Sequence, residues 1–178
     1  MRIVFELEPD DLQRFREATA RAVQRVACAE ECDIIDGAKH ALDQLPIGTA
    51  PGFVRRQLCE VQRLILMVED EAWGLPREDR EQVLQALAYF SDPEDMIPDH
   101  IEVIGLIDDA IMLALMLRRL RHTLEAYADF CAFRLALGPP PGDHAGRLAH
   151  AGALARQRQA LHARMHERGR VESEEAAS

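Results

Sequence analysis

The chain has 178 residues, enough for one domain that buries roughly 70% of the surface its unfolded form exposes, without a disulfide or metal staple. Its formal charge of -10 speaks against nucleic acid as the main partner, because phosphate binding calls for a basic face. Four cysteines, Cys28, Cys32, Cys59 and Cys131, do not form the dense framework of a small secreted domain, and no charged n-region followed by an apolar stretch opens the chain. A cytoplasmic protein with free thiols is expected.

Residues 1–8 alternate through Ile3, Phe5 and Leu7 and predict a short extended lead-in. Pro9, Asp10 and Asp11 suit a helix start, since proline and acids favour a first turn. Leu12, Phe15, Ala18, Ala22 and Val26 then recur at helical spacing to about residue 29. Asp33 is placed to cap a second helix through Ile34, Ile35, Ala38, Ala41 and Leu45. Pro46, Gly48, Pro51 and Gly52 mark a break. A third helix follows through Val54, Leu58, Val61, Ile65 and Val68, with Trp73 and Leu75 pinning the next turn. Pro76 opens a fourth, with Val83, Leu84, Leu87, Ala88 and Phe90 facing inward.

Pro93 and Pro98 forbid a continuing helix after residue 92, since each lacks an amide proton and restricts the residue before it. A fifth helix is predicted from Gly105, unbroken to about Leu137. Over residues 110–117 it is apolar on every side, as expected of a helix surrounded by others. That stretch is far shorter than the roughly 20 residues of a membrane span. The fold class expected is all-α: a compact bundle of about five helices around a central apolar helix, occupying residues 1–137.

The run 138–142, Gly-Pro-Pro-Pro-Gly, is a stiff linker. Beyond it, residues 143–170 hold six arginines and four histidines but few apolar residues, and predict an appended basic helix, exposed or loosely docked. The acidic residues 171–178 are expected to lack order. The cations are almost all arginine, with Lys39 the single lysine, a composition that fits a high-GC bacterial genome.

The segment 87–111 carries the chain's most particular residues. Leu87-Ala88-Tyr89-Phe90-Ser91-Asp92-Pro93-Glu94-Asp95-Met96-Ile97-Pro98-Asp99, followed by Ile104-Gly105-Leu106-Ile107-Asp108-Asp109-Ala110-Ile111, resembles the YkvA-like family of bacterial proteins. The shared pattern is a tyrosine, then proline-x-aspartate and isoleucine-proline-aspartate, then glycine and a double aspartate. The text around Phe5-Glu6-Leu7, residues 67–73 and residues 121–134 resembles a longer proteobacterial branch. Glu94 stands where many members have an apolar residue, and Glu102 where a second isoleucine-proline pair is usual, so the loop is less rigid and more acidic here. The resemblance implies a domain of unknown function with no established catalytic residue.

The aspartates Asp92, Asp95, Asp99, Asp108 and Asp109 are the candidate site. As structural groups, Asp92, Asp95 and Asp99 cap turns while Asp108 and Asp109 complement the helix dipole in a first turn, roles worth about 0.5–2 kcal/mol each. The alternative is a cation site. Carboxylates crowded beside an apolar helix need a counter-charge, which oxygen-selective Mg, Ca or Mn would supply, or else a buried arginine. The cap reading is preferred.

No other constellation rises higher. Cys28 and Cys32 share a four-residue spacing that fits a helix face but not a zinc or redox pair. His122 and Glu125 sit one turn apart in the order opposite to a di-iron motif and are read as an ion pair. His162 and His166 are spaced to share a metal but read as a solvated helix face. No nucleophile-base set, phosphate-binding glycine loop or cofactor motif is recognisable. The expected function is therefore a non-enzymatic interaction or scaffold module with a protein partner or a second copy. Divalent-cation binding, with a hydrolytic role, is the alternative. Peripheral membrane association through the C-terminal helix is a weaker one, since that helix has no aromatic anchor.

Overall fold

A computed structural model describes residues 9–45, 48, 50–92 and 104–176; for 9–11, 104–110, 112, 173, 175 and 176 it describes the helical backbone only. The predicted lead-in at 1–8 lies outside these residues. All regular structure among them is helical: α1 (Pro9–Cys28), α2 (Glu31–Gln44), α3 (Gly52–Glu69), α4 (Arg77–Phe90), α5 (Ile104–Arg119), α6 (Arg121–Leu137) and α7 (His144–Ala176). The chain divides into two compact units, Met1–Ile65 with Glu81–Leu117, and Leu66–Arg80 with Arg118–Ser178.

Prolines set several starts as the sequence indicates. The carbonyls of Pro51 and Pro76 accept the first helical bonds of α3 and α4, from Arg55 N (3.0 Å) and Arg80 N (2.8 Å). Asp33 is not the cap of α2. The helix starts two residues earlier, behind Glu30, whose side chain makes no capping bond, and Asp33 sits in the first turn. The expected sharing of one helix face by Cys28 and Cys32 fails for the same reason, because α1 ends at Cys28 and Cys32 belongs to α2. All four thiols are free.

In the first unit, Ala18 and Ala22 of α1, Ile34 and Ala38 of α2, Val61 and Leu64 of α3, and Val83 and Leu87 of α4 are buried. At the start of α3, Val54 and Leu58 gather Leu42, Leu45, Ala50, Phe53 and Phe90 around them. Of the described side chains of α5, Leu113, Met116 and Leu117 are buried, while Ile111, Ala114 and Leu115 are only partly covered. These side chains bury one stripe and do not show the all-round burial expected of a central helix.

The predicted single helix from 105 to 137 is two. Leu120 adopts φ −89° and ψ 8°, a bridge conformation that interrupts the helical ladder without glycine or proline. α6 restarts on its carbonyl, to which Leu124 N donates at 2.9 Å.

In the second unit α6 and α7 pack together. Asp143 caps α7 by accepting from Gly146 N at 2.9 Å, as a short carboxylate does at a helix start. α7 continues past the expected end at residue 170, where Arg170 pairs with Glu167 and Glu174 one turn to either side. Leu161 and Met165, four residues apart on α7, are both 3% exposed, so this helix buries an apolar face. The sequence reading made it an exposed or loosely docked appendage. The same helix also lays the ring of His162 on Trp73, which is completely buried.

Candidate functional site

The last two described residues before the proline segment form a charged corner in the first unit. α4 closes with Ser91 N donating to Leu87 O at 3.0 Å and Asp92 N to Tyr89 O at 3.1 Å. Two arginines one turn apart on α1 meet them. Arg21 Nε donates to Asp92 Oδ2 at 2.7 Å, and Arg25 Nη1 donates to Ser91 O at 3.2 Å and to Ser91 Oγ at 3.3 Å. The ring of Phe15 stands edge-on to Tyr89 with centroids 6.0 Å apart, so α1 and the end of α4 are joined by stacking as well as charge.

Gly37 of α2 completes the corner. A Cβ there would lie 3.2 Å from Arg25 Nη2 and 3.6 Å from Ser91 Oγ, so a side chain would press the guanidinium aside by a few tenths of an ångström. Beside the bridge runs a groove of about 320 Å³ lined by Arg21, Gln24, Arg25 and Cys28 of α1 with Ala88 and Asp92.

Of the five candidate aspartates, Asp92 is buried and has the arginine counter-charge. Asp95 and Asp99 lie outside the described residues. Asp108 and Asp109 fall on the described backbone of α5, with side chains that are not described. Among the described residues, no three His, Cys, Asp or Glu side chains form a group that could hold a metal ion. Sequence reasoning named a buried arginine as one possible counter-charge but did not identify Arg21 or Arg25. Their signal was a four-residue spacing next to the buried stripe of Ala18 and Ala22.

A second polar cluster, missed altogether in the sequence, centres on Asp70 in the turn after α3. Its Oδ1 accepts from Ala72 N at 3.1 Å and Trp73 N at 3.3 Å. Its Oδ2 accepts from Tyr127 Oη at 3.1 Å and Arg134 Nη1 at 2.7 Å. Burial, hydrogen bonding to Cys131 and the Asp70 charge raise the Tyr127 phenol well above its ordinary value. Burial works against the charge of Arg134, but hydrogen bonding to Asp70 and the negative field of that carboxylate win and raise its pKa. Arg134 also stacks over the Phe130 ring at 5.4 Å. This cluster is a structural knot, since each polar group is spent on another.

Histidines fix α7 in the same unit. His166 Nε2 meets Asp79 Oδ2 at 2.8 Å. His122 stands between Glu172, 2.8 Å from Nε2, and Glu125, 3.7 Å from Nδ1. His162 packs on Trp73 with centroids 4.3 Å apart and planes at 79°. Burial, and then the charge of Arg158, lower its pKa. His162 therefore does not lie on the solvated face expected of the pair, whereas His166 is exposed.

Residues 83–115 match a family model described as a protein of unknown function, DUF1232. The match runs from within α4, through the Asp92 corner, to most of α5. No match was found among curated proteins or among solved structures. No helix among the described residues is long and apolar enough to cross a membrane.

Proposed function

We propose that this chain is a non-enzymatic interaction module of the YkvA-like kind, acting in the cytoplasm on a protein partner or a second copy, in which the Asp92 corner holds the end of α4 against α1 as a rigid support. The observation that carries this reading is the Arg21–Asp92 bridge. A carboxylate 2.7 Å from a guanidinium is already neutralised and has little left to offer a cation. The bridge spans 71 residues of sequence, which makes it a positioning device. Leu135 and Leu148, 85% and 67% exposed, offer apolar contacts for self-association, which closed symmetry makes a common outcome.

The arginines of α7 favour protein over lipid. Arg164 pairs with Asp129, Arg168 with Glu125, and Arg170 with Glu167 and Glu174, while Arg147 and Arg158 donate to the carbonyls of Gly142 and Ala72. Charges committed within their own unit are poor anchors for anionic headgroups.

Two measurements test the reading. Sedimentation velocity across protein concentration is expected to show a reversible dimer that Leu135→Asp or Asp92→Asn weakens; a chain that stays monomeric leaves a separate partner as the requirement. Thermal unfolding in chelator and then in magnesium, calcium or manganese decides against the cation alternative. Binding at a hundred times the dissociation constant adds about 2.7 kcal/mol, a rise of roughly 5–10 °C. Such a rise, lost in Asp108→Asn, would replace the interaction reading with a cation site.

A further inference from the structure

The second unit holds two touching rings, each with a buried polar atom that has no partner. Trp73 Nε1 and His162 Nε2 are both buried and make no hydrogen bond, although their rings are in contact. An unpaired buried polar atom costs roughly 1–3 kcal/mol, which is offset by apolar burial: Leu161 and Met165 are buried on the same helix, and Tyr127 and Phe130 also pack on the indole. A neutral imidazole is tolerated there. A charged one is not, because its Nε2–H would have no acceptor.

We propose that His162 is a proton-operated latch: taking up a proton drives its ring off Trp73 and releases the C-terminal half of α7, uncovering Trp73 with Leu161 and Met165 as an apolar surface. Of the charges around the ring, those of Arg158 and His166 oppose a proton on it and only that of Asp79 favours one. On α7 itself, Arg158 and His166 lie near it, and Arg158 is tied to Ala72 O at 3.3 Å. From α4 the facing group is Asp79, already engaged by His166 Nε2. The Asp70 carboxylate behind Trp73 is held by Tyr127 and Arg134 of α6. Among the described residues none accepts a hydrogen bond from His162 Nε2.

The direction of the pH response follows. The folded ring holds its proton less tightly than the ordinary histidine at 6.5, so the unfolded or released chain binds more protons as the pH falls. Docking is therefore complete above about pH 6.5 and is lost as the pH drops towards the folded value, with the release constant rising at most about tenfold per pH unit for one proton.

Trp73 is the only tryptophan in the chain and reports directly. Titrated from about pH 8 to about pH 5, the full-length protein is expected to shift its emission to the red with far-ultraviolet circular dichroism retained. Backbone amides of α7 should lose protection from hydrogen exchange over the same range. His162→Gln should abolish the pH dependence, and His166→Gln should leave it in place. Quenching without a red shift would mean that the ring protonates where it sits and would overturn the latch, as would a response that survives His162→Gln. Should that variant fail to fold, the His162 ring and the Trp73 indole N–H can be followed together by NMR in the unaltered protein; histidine titration with a static indole is equally fatal to the proposal.

Discussion

Two aspartate–arginine bridges, one in each unit, are almost the same object by distance and burial. Asp92 meets Arg21 and Asp70 meets Arg134 at 2.7 Å; the aspartate side chain is 11% exposed in both, and the arginines 38% and 39%. One lies in the segment that matches a family model, and the other lies outside it. The difference is in what else the carboxylate holds. Asp70 also accepts from Tyr127 and from the two backbone amides that shape the turn carrying Trp73, whereas the Asp92 bridge ties the end of α4 to α1. Two bridges of equal geometry thus shape a turn in one case and join two helices in the other.

Asp70→Ala gives the largest expected effect. It removes three hydrogen bonds from neutral donors to the carboxylate, taken at about 1 kcal/mol each, and with them a charge pair discounted because its arginine is more than a third exposed. A loss of about 3 kcal/mol is expected in urea unfolding, with Trp73 emission red-shifted even below the midpoint. Asp92→Ala should cost about 1 kcal/mol and leave Trp73 unaffected. An equal loss at both positions would break the comparison, because Asp92 would then be as deeply built in as Asp70.

Tyr127→Phe sharpens the comparison within the second unit. The phenol donates to Asp70 Oδ2, and its long bond to Leu66 O at 3.4 Å adds little. Removing the hydroxyl should cost about 1 kcal/mol and lower the Arg134 contribution only if the cluster acts cooperatively. A double-mutant cycle with Arg134→Ala measures that coupling.

Much of the helical framework was legible because its signals are local. Pro51 and Pro76 marked the starts of α3 and α4, Gly138 the end of α6, and the stripes through Leu58, Val61 and Ile65 or Val83 and Leu87 marked inward faces. The break at Leu120 was not legible, since a single ψ near zero needs no special residue. The docking of α7 was hidden because its buried contacts include an imidazole on an indole, which a count of apolar residues does not register. Asp92 could be singled out as a candidate from its neighbours in sequence. Its partner could not, because Arg21 is set by how α1 lies against the end of α4, a tertiary fact with no periodicity of its own.

The smallest effect distinguishes what holds α7 from what decorates it. Arg168 and Glu125 are 3.1 Å apart and both 49% exposed, a rim pair in high dielectric. Arg168→Ala should cost less than about 0.5 kcal/mol, a fall in midpoint of about 1–2 °C, and the cost should vanish in high salt as the Debye length shrinks. Leu161, a buried apolar residue of α7, has no such dependence. If Arg168→Ala instead costs more than Tyr127→Phe, and salt alone weakens the wild-type protein to match, then α7 is held by its rim of charge. The contrast between a core bridge at Asp70 and peripheral pairs along α7 would then have to be redrawn, since the pairs would be doing the work assigned here to Leu161, Met165 and Trp73.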